Sequence, residues 1–277
     1  ADMLSDHKRL YIITGKGGVG KTALSLAFTK YLRSQGVKAN YLNFTTANLE
    51  KPKSDIQEII QAKKMGVPLT ALNLYDCASG YVAKKLKSQT VAKFVVKTPF
   101  FKALISMIPG FNYTIYLGQA LELLKEDSEQ VFVLDSPSSG HAITMLEATK
   151  NFGEIFQAGS LFEDTQKMLS HIYSEGFTQI NVLSLPILMA ANEALELQEK
   201  LKTIAPIESK VICNNSFAGL EGVKDMELPN FLSKKLETEM LIKKEFGQEI
   251  ESFIPHSLQN IDEDIVNDLV PYMDQLV

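Results

Sequence analysis

Cysteine and tryptophan are scarce in this 277-residue chain, which has two cysteines and no tryptophan. Cys77 and Cys213 lie far apart in sequence and neither belongs to a C-x-x-C pair. The sequence therefore offers no disulfide framework and no zinc signature. Residues 1–10 carry charges of both signs and lack the apolar stretch of a secretory signal peptide. Together these absences favour a protein of the reducing cytoplasm.

An excess of positive charge is also missing. The chain has 28 lysines and arginines against 33 aspartates and glutamates, a formal net charge of −5. Proteins whose main task is to neutralise nucleic-acid phosphates normally show a basic excess or a basic stripe. The charge balance therefore disfavours nucleic acid as a partner.

A hydrophobic run fit for a membrane helix is missing as well. The 19 residues 103–121 contain no charged side chain and approach the length of a span. Pro109 and Gly110 interrupt this stretch, and Asn112 and Gln119 would need hydrogen-bond partners in hydrocarbon. We therefore predict no stable membrane insertion.

What the sequence does contain is an alternation of short apolar runs and amphipathic helical segments. Continuous apolar strands separated by helices are typical of parallel strands buried on both faces. The pattern predicts a three-layer α/β fold with a mainly parallel sheet, as one domain over residues 1–277. Residues from about 79 to 125 read as a helical insert without a clear strand. The predicted strands are 10–14, 39–44, 72–75, 131–134, 180–185 and 211–213.

A glycine-rich loop follows the first predicted strand and precedes a predicted helix. It matches the pattern G-x-x-x-x-G-K-[ST], in which backbone amides surround phosphate oxygens, the lysine reaches the β- and γ-phosphates and the hydroxyl ligates Mg²⁺. The pattern in this context predicts ATP binding, with Lys21 on the phosphates and Thr22 on the metal. The nucleotide-binding residues are predicted to be Gly15, Lys16, Gly17, Gly18, Val19, Gly20, Lys21, Thr22 and Ala23.

The first lysine of this loop, Lys16, is not part of the general pattern and indicates a particular group of phosphate-binding loops. The loop G-K-G-G-V-G-K-T resembles the deviant Walker A loop of a group of P-loop ATPases that includes the arsenite pumps and the ATPases that target tail-anchored proteins. In that group the first lysine crosses a dimer interface to the partner's nucleotide. The resemblance implies a homodimer in which Lys16 is catalytic, in the manner of an arginine finger supplied in trans. The alternative is a lysine that is merely solvated.

Later segments extend the resemblance to residues 9–260. The segment 133–141 is similar to the family's D-T-A-P-T-G-H segment. This resemblance implies that Asp135 helps to hold Mg²⁺. The alternative is that Asp135 only caps a helix. The segment 211–215 resembles a strand whose final asparagine reads the adenine edge, which implies that role for Asn214. The segment 254–256 resembles the loop that closes over the base and implies that Pro255 contacts it.

Three departures from the family pattern bear on catalysis. Thr45 stands where the group normally has the aspartate that orients or deprotonates the attacking water, and a hydroxyl is a poor proton acceptor near neutral pH. Ala23 stands where a hydroxyl usually contacts the α-phosphate. The zinc-bridging C-x-x-C pair is absent, so a dimer would rest on nucleotide and protein contacts alone.

Two functions therefore stay open. One is a Mg²⁺-dependent dimeric ATPase of the arsenite-pump and targeting type that acts as a nucleotide-driven switch. The other is an adaptor that binds ATP and recruits a partner protein but hydrolyses slowly or not at all, because Thr45 replaces the catalytic aspartate. The apolar insert is either a groove for a client helix or the core of its own subdomain. A small-molecule kinase is a weaker third candidate, and two scattered cysteines disfavour an arsenite site.

Overall fold

The computed structural model describes residues 7–45, 57–136, 139–155, 160–218, 220, 223 and 227–277. Their backbone forms a seven-stranded sheet in the order β3-β2-β4-β1-β5-β6-β7, and all its pairings are parallel. This confirms the predicted α/β class. The strands are β1 Leu10–Gly15, β2 Ala39–Phe44, β3 Leu69–Leu72, β4 Val131–Asp135, β5 Thr178–Ser184, β6 Glu208–Ser216 and β7 Ile250–Pro255.

Helices connect the strands and cover both faces of the sheet. A 3₁₀ segment covers Val270–Leu276. No helix among the described residues is both long and apolar enough to cross a membrane. The helices are α1 Lys21–Ser34, α2 Gln57–Lys64, α3 Leu74–Leu86, α4 Gln89–Lys97, α5 Pro99–Met107, α6 Phe111–Glu126, α7 Ser139–Ile155, α8 Ser160–Ile172, α9 Leu188–Ile204, α10 Asn230–Phe246 and α11 Asp262–Leu269.

The strand residues alternate between two hydrophobic clusters, one on each face of the sheet. On β1, Leu10 and Ile12 enter the cluster that contains α6 and α9, whereas Tyr11 and Ile13 enter the cluster that contains α1 and α11. All four side chains are at most 1% exposed. Burial on both faces explains why the parallel strands read as continuous apolar runs.

Two strand predictions need correction. The third strand covers 69–72 rather than 72–75, because Asn73 caps α3 by accepting a hydrogen bond from the amide of Asp76 at 2.9 Å. β7 was not predicted as a strand, since its middle residues Glu251 and Ser252 break the apolar run. It lies at the edge of the sheet, where such residues can face solvent.

The region between β3 and β4 is helical throughout, from α3 to α6. Its first helix begins at Leu74, five residues before the predicted boundary of 79. The division into one domain with an insert stays a prediction.

Candidate functional site

The candidate site lies where the carboxyl ends of β1 and β4 meet. These strands are neighbours in the sheet, with Ile13 opposite Asp135. The helix after β1 joins one hydrophobic cluster and the helix after β4 joins the other, so their connections diverge to opposite faces. In open parallel sheets, ligands bind in the crevice that such a divergence creates.

The glycine-rich loop presents backbone amides to this crevice. Gly20 immediately precedes α1 with φ 92° and ψ 21°, and no side chain caps the helix. The amides of Lys16, Gly17, Gly18 and Gly20 donate to no backbone carbonyl within the described part of the chain. A helix start with free amides is a ready site for an anion such as phosphate, so this loop fits the group that the sequence implies.

Lys21 folds its ammonium group back over the loop. Its Nζ donates to the carbonyl oxygens of Gly15, at 3.0 Å, and Lys16, at 2.9 Å. Burial lowers the pKa of Lys21 below its ordinary value, and the nearby Asp135 opposes this effect. An ammonium group held by two carbonyls and partly removed from water is well placed to donate to phosphate oxygens in their place.

Thr22 and Asp135 meet directly. The Thr22 hydroxyl donates to Oδ2 of Asp135 at 2.7 Å, and the Tyr41 hydroxyl donates to the same oxygen at 2.8 Å. Burial raises the pKa of Asp135, whereas the bonds from Thr22 and Tyr41 and the charge of Lys21 lower it. Burial and the neighbouring Asp135 raise the pKa of Tyr41, so its hydroxyl stays a donor. The sequence did not predict that Tyr41 belongs to this site. Tyr41 lies on β2, the strand next to β4 in the sheet.

The described residues contain no group of three or more histidine, cysteine, aspartate or glutamate side chains able to hold a metal. Mg²⁺ in nucleotide sites usually takes only one or two protein ligands, together with phosphates and water. One hydroxyl and one carboxylate in contact, Thr22 and Asp135, fit that pattern.

Asn214 connects the glycine-rich loop to the end of β6. Its Nδ2 donates to the carbonyl of Val19 at 2.9 Å, and the residue is 3% exposed. Its Oδ1 is buried and has no partner among the described residues. A buried acceptor without a donor is costly, so this oxygen is suited to a donor from a ligand.

The segment after β6 is held by a buried carboxylate that the sequence did not reveal. Glu239 on α10 accepts from the hydroxyl of Ser216 at 2.9 Å and from the amides of Phe217, at 3.0 Å, and Ala218, at 2.8 Å. The ring of Phe217 stacks on His256, with centroids 4.8 Å apart. His256 directly follows Pro255, the last residue of β7, so the predicted base-contacting loop is anchored to the end of β6.

Lys16 lies on the other side of the loop and forms an ion pair within its own chain. Its Nζ is 2.5 Å from Oε1 of Glu193 on α9, and both side chains are partly exposed. The pair lies at a cavity of about 240 Å³ between the glycine-rich loop, β5 and α9. In this conformation Lys16 therefore turns toward α9.

Thr45 turns away from the loop. Its hydroxyl donates to the carbonyl of Leu72 on β3 at 3.1 Å, and its amide donates to the same carbonyl at 2.8 Å. β3 flanks β2 on the side opposite to β4. Ala23 lies in the first turn of α1 and packs against the cluster on that face. The segment 46–56, residues 137–138 and the side chain of His141 lie outside the described residues.

Comparison with known proteins finds a matching family model and similar chains. A family model described as "Anion-transporting ATPase" matches residues 8–223. "ATPase BagA" of Mycobacterium tuberculosis is 23% identical over 84% of this chain and 70% of its own length. "Putative ATPase Mb3704" of Mycobacterium bovis matches with the same identity and coverage.

Proposed function

Because the chain belongs to the anion-transporting ATPase family, we propose that it binds ATP with Mg²⁺, hydrolyses it slowly and works as a cytoplasmic homodimer. The observation that carries the proposal is the meeting of Thr22 and Asp135 at 2.7 Å beside the loop of free amides. A metal-site hydroxyl, a carboxylate and a phosphate cradle are the parts that phosphoryl transfer needs in this class of fold.

The residues of the loop would hold the phosphates. The amides of residues 17–20 would donate to phosphate oxygens, and Lys21 would exchange its two carbonyl partners for the β- and γ-phosphates. Mg²⁺, when bound, neutralises charge on the transferred phosphoryl group. Thr22 and Asp135 would hold that ion, and Tyr41 would keep the Asp135 carboxylate in place.

Asn214 favours adenine over guanine. Because its Nδ2 is bonded to Val19, the unpartnered Oδ1 is the atom left for the base. The exocyclic amino group of adenine is a donor, whereas the corresponding atom of guanine is an oxygen that would face another oxygen. We therefore propose Asn214 as the residue that selects ATP, with Pro255 closing the site from β7.

The second candidate is an adaptor that binds ATP without useful turnover. It is favoured by the Thr45 hydroxyl, which bonds to the backbone of β3 rather than facing the loop. Such an adaptor would recruit a partner protein through the helical region. A largely apolar cavity of about 420 Å³ lies there among α3, α5, α6 and α8.

ATP affinity and single-turnover hydrolysis, measured side by side, distinguish the two candidates. We expect wild-type protein to bind ATP and to release only ADP and phosphate, at a rate clearly above that of Thr22→Ala. That variant should lose Mg²⁺-dependent hydrolysis, since its metal-site hydroxyl is gone. If the wild-type protein binds ATP tightly but hydrolyses it no faster than Thr22→Ala, the ATPase candidate is wrong and the adaptor is supported. A phosphorylated small molecule among the products would indicate a kinase instead.

Dimerisation should depend on Lys16 and be opposed by Glu193. An exposed ion pair contributes on the order of 1 kcal/mol or less, so Lys16 can leave Glu193 for a partner's nucleotide at small cost. With a non-hydrolysable ATP analogue, we expect Lys16→Ala to stay monomeric in sedimentation velocity. Glu193→Gln should dimerise a few-fold more tightly than wild type.

The control for this prediction is Glu199→Gln on the same helix. It removes the same charge and an exposed pair, that of Lys202 with Glu199 at 2.7 Å, but leaves Lys16 untouched. Unchanged dimerisation in Glu199→Gln is expected. Normal ATP-dependent dimers of Lys16→Ala would show that this lysine has no role between subunits.

A further inference from the structure

The positive charge of this acidic chain is concentrated in one helical segment. Residues 77–121 contain six lysines and no aspartate, glutamate or arginine, so the rest of the chain carries a formal charge of −11. Lys84 and Lys85 pair with Glu122 and Asp164, on α6 and α8. The other four lysines form no ion pair with a described carboxylate, although the ammonium group of Lys97 lies 5.9 Å from the centroid of the Tyr75 ring: Lys87, Lys93, Lys97 and Lys102.

Large apolar side chains stand among these unpaired lysines. Phe94 on α4 is 74% exposed, and Phe100 and Met107 on α5 are 76% and 79% exposed. The two α5 residues are seven apart and so lie on one stripe of the helix. Helix α5 is apolar along most of its length, yet none of its residues is fully buried. An apolar helix left unburied marks an interaction surface.

The geometry of α4 puts apolar and basic side chains together on its outer face. The buried residues Ala92 and Val96 define the inner face. Phe94 lies midway between them in sequence and therefore on the opposite side, since each residue turns the helix by about 100°. Lys93 and Lys97 lie on one flank of this outer face. An exposed phenylalanine beside lysines suits the boundary between water and lipid, where lysine stems can extend to the headgroups.

The two helices are fixed to each other at a single residue. Thr98 ends α4 and begins α5, and its hydroxyl donates to the carbonyl of Val95 at 2.6 Å. The same oxygen accepts from the amide of Phe101 at 3.3 Å. A corner capped on both sides presents the two helices in a defined arrangement rather than as a loose loop.

From these features we propose that the outer face of α4 and α5 binds the surface of an anionic lipid bilayer. Phe94, Phe100 and Met107 would enter the interface, and the four unpaired lysines would contact lipid phosphates. A second copy of this chain is a poor occupant, because a symmetric contact would bring lysines against lysines. The proposal concerns peripheral binding only and requires neither nucleotide nor hydrolysis, so it stands apart from the ATPase proposal.

The test is co-sedimentation with sucrose-loaded vesicles in the absence of nucleotide. We expect wild-type protein to sediment with equal mixtures of phosphatidylglycerol and phosphatidylcholine, and at least about tenfold less with phosphatidylcholine alone. Raising the salt concentration should release it, since lysine–headgroup attraction is screened. The double variants Phe94→Ala/Phe100→Ala and Lys93→Gln/Lys97→Gln should each bind the mixed vesicles at least about tenfold more weakly.

Helix α10 supplies matched controls. Phe231 is 69% exposed, and Lys234 and Lys244 are exposed on the same helix. Phe231→Ala and Lys234→Gln/Lys244→Gln should bind vesicles as wild type does. Circular dichroism melting curves would show that all variants fold, as expected for exposed positions.

Four results would overturn the proposal. One is wild-type protein that does not sediment with the mixed vesicles. Another is equal binding to neutral and anionic vesicles, or equal losses in the α10 controls. The last is capture of an acidic amphipathic helical peptide without vesicle binding, which would assign the face to a protein partner.

Discussion

Gly20→Ala is expected to weaken ATP binding about a hundredfold and to lower the free energy of unfolding by about 2–4 kcal/mol. Gly20 has φ 92°, a conformation that L side chains rarely adopt. A Cβ there would lie 2.5 Å from Nδ2 of Asn214. The side-chain amide of Asn214 would have to move and would lose its bond to Val19, so one methyl group would disturb the glycine-rich loop and Asn214 together.

Gly17→Ala is the matched control, because it adds the same methyl group to the same loop. A Cβ at Gly17 meets nothing within 4 Å, and Gly17 does not require the left-handed conformation. We expect thermal unfolding without nucleotide to be close to wild type for Gly17→Ala and clearly lower for Gly20→Ala. Isothermal titration with ATP gives the affinities. Equal melting temperatures for the two variants would contradict the role assigned to Gly20.

The central part of the fold was predictable because burial on both faces leaves a strong signal. β1, β2 and β4 are fully buried or nearly so, and their apolar runs match the predicted strands within one residue. β7 has a burial pattern with exposed and half-buried positions, so periodicity could not separate it from a loop. The third strand was placed too late because Leu74 continues the apolar run, although Asn73 already begins a helix.

The candidate site also contains residues that the sequence predicts and residues that it does not. The positions of Lys21, Thr22 and Asp135 at the ends of β1 and β4 could be predicted from a spaced motif and a strand end, whereas their roles toward nucleotide and metal stay predictions. Tyr41 could not be predicted, because its bond to Asp135 depends on β2 lying beside β4, and no sequence pattern gives the order of strands in a sheet. Glu239 was missed for a related reason, since its partners lie 21 to 23 residues earlier in the chain.

The pair of Lys16 with Glu193 shows a further limit of sequence reasoning. The motif predicts a lysine that acts on a partner subunit, and the structure places it on a glutamate 177 residues away in the same chain. Both arrangements use the same exposed ammonium group, and only the pair with Glu193 is observed. The in-chain pair is compatible with a monomer that has yet to meet its partner, but the role between subunits stays a prediction.

Thr45→Asp is expected to raise single-turnover ATP hydrolysis by about 10²–10⁴-fold, the usual range for a positioned general base. The Thr45 hydroxyl now donates to the carbonyl of Leu72. An aspartate carboxylate cannot donate, and repulsion between the two oxygens would turn it away from β3. It would then be free to accept a proton from a water molecule near the loop.

Thr45→Asn is the control that separates the ability to accept a proton from the size and shape of the new side chain. Asparagine has nearly the size of aspartate but accepts no proton near neutral pH, so its rate should stay near wild type. ATP affinity should be similar in all three proteins, because Thr45 does not touch the described part of the phosphate loop. A gain in Thr45→Asp alone would show that the chain keeps the rest of the catalytic geometry and lacks only the base. If Thr45→Asp binds ATP but hydrolyses it no faster than Thr45→Asn, the missing carboxylate is not what limits turnover.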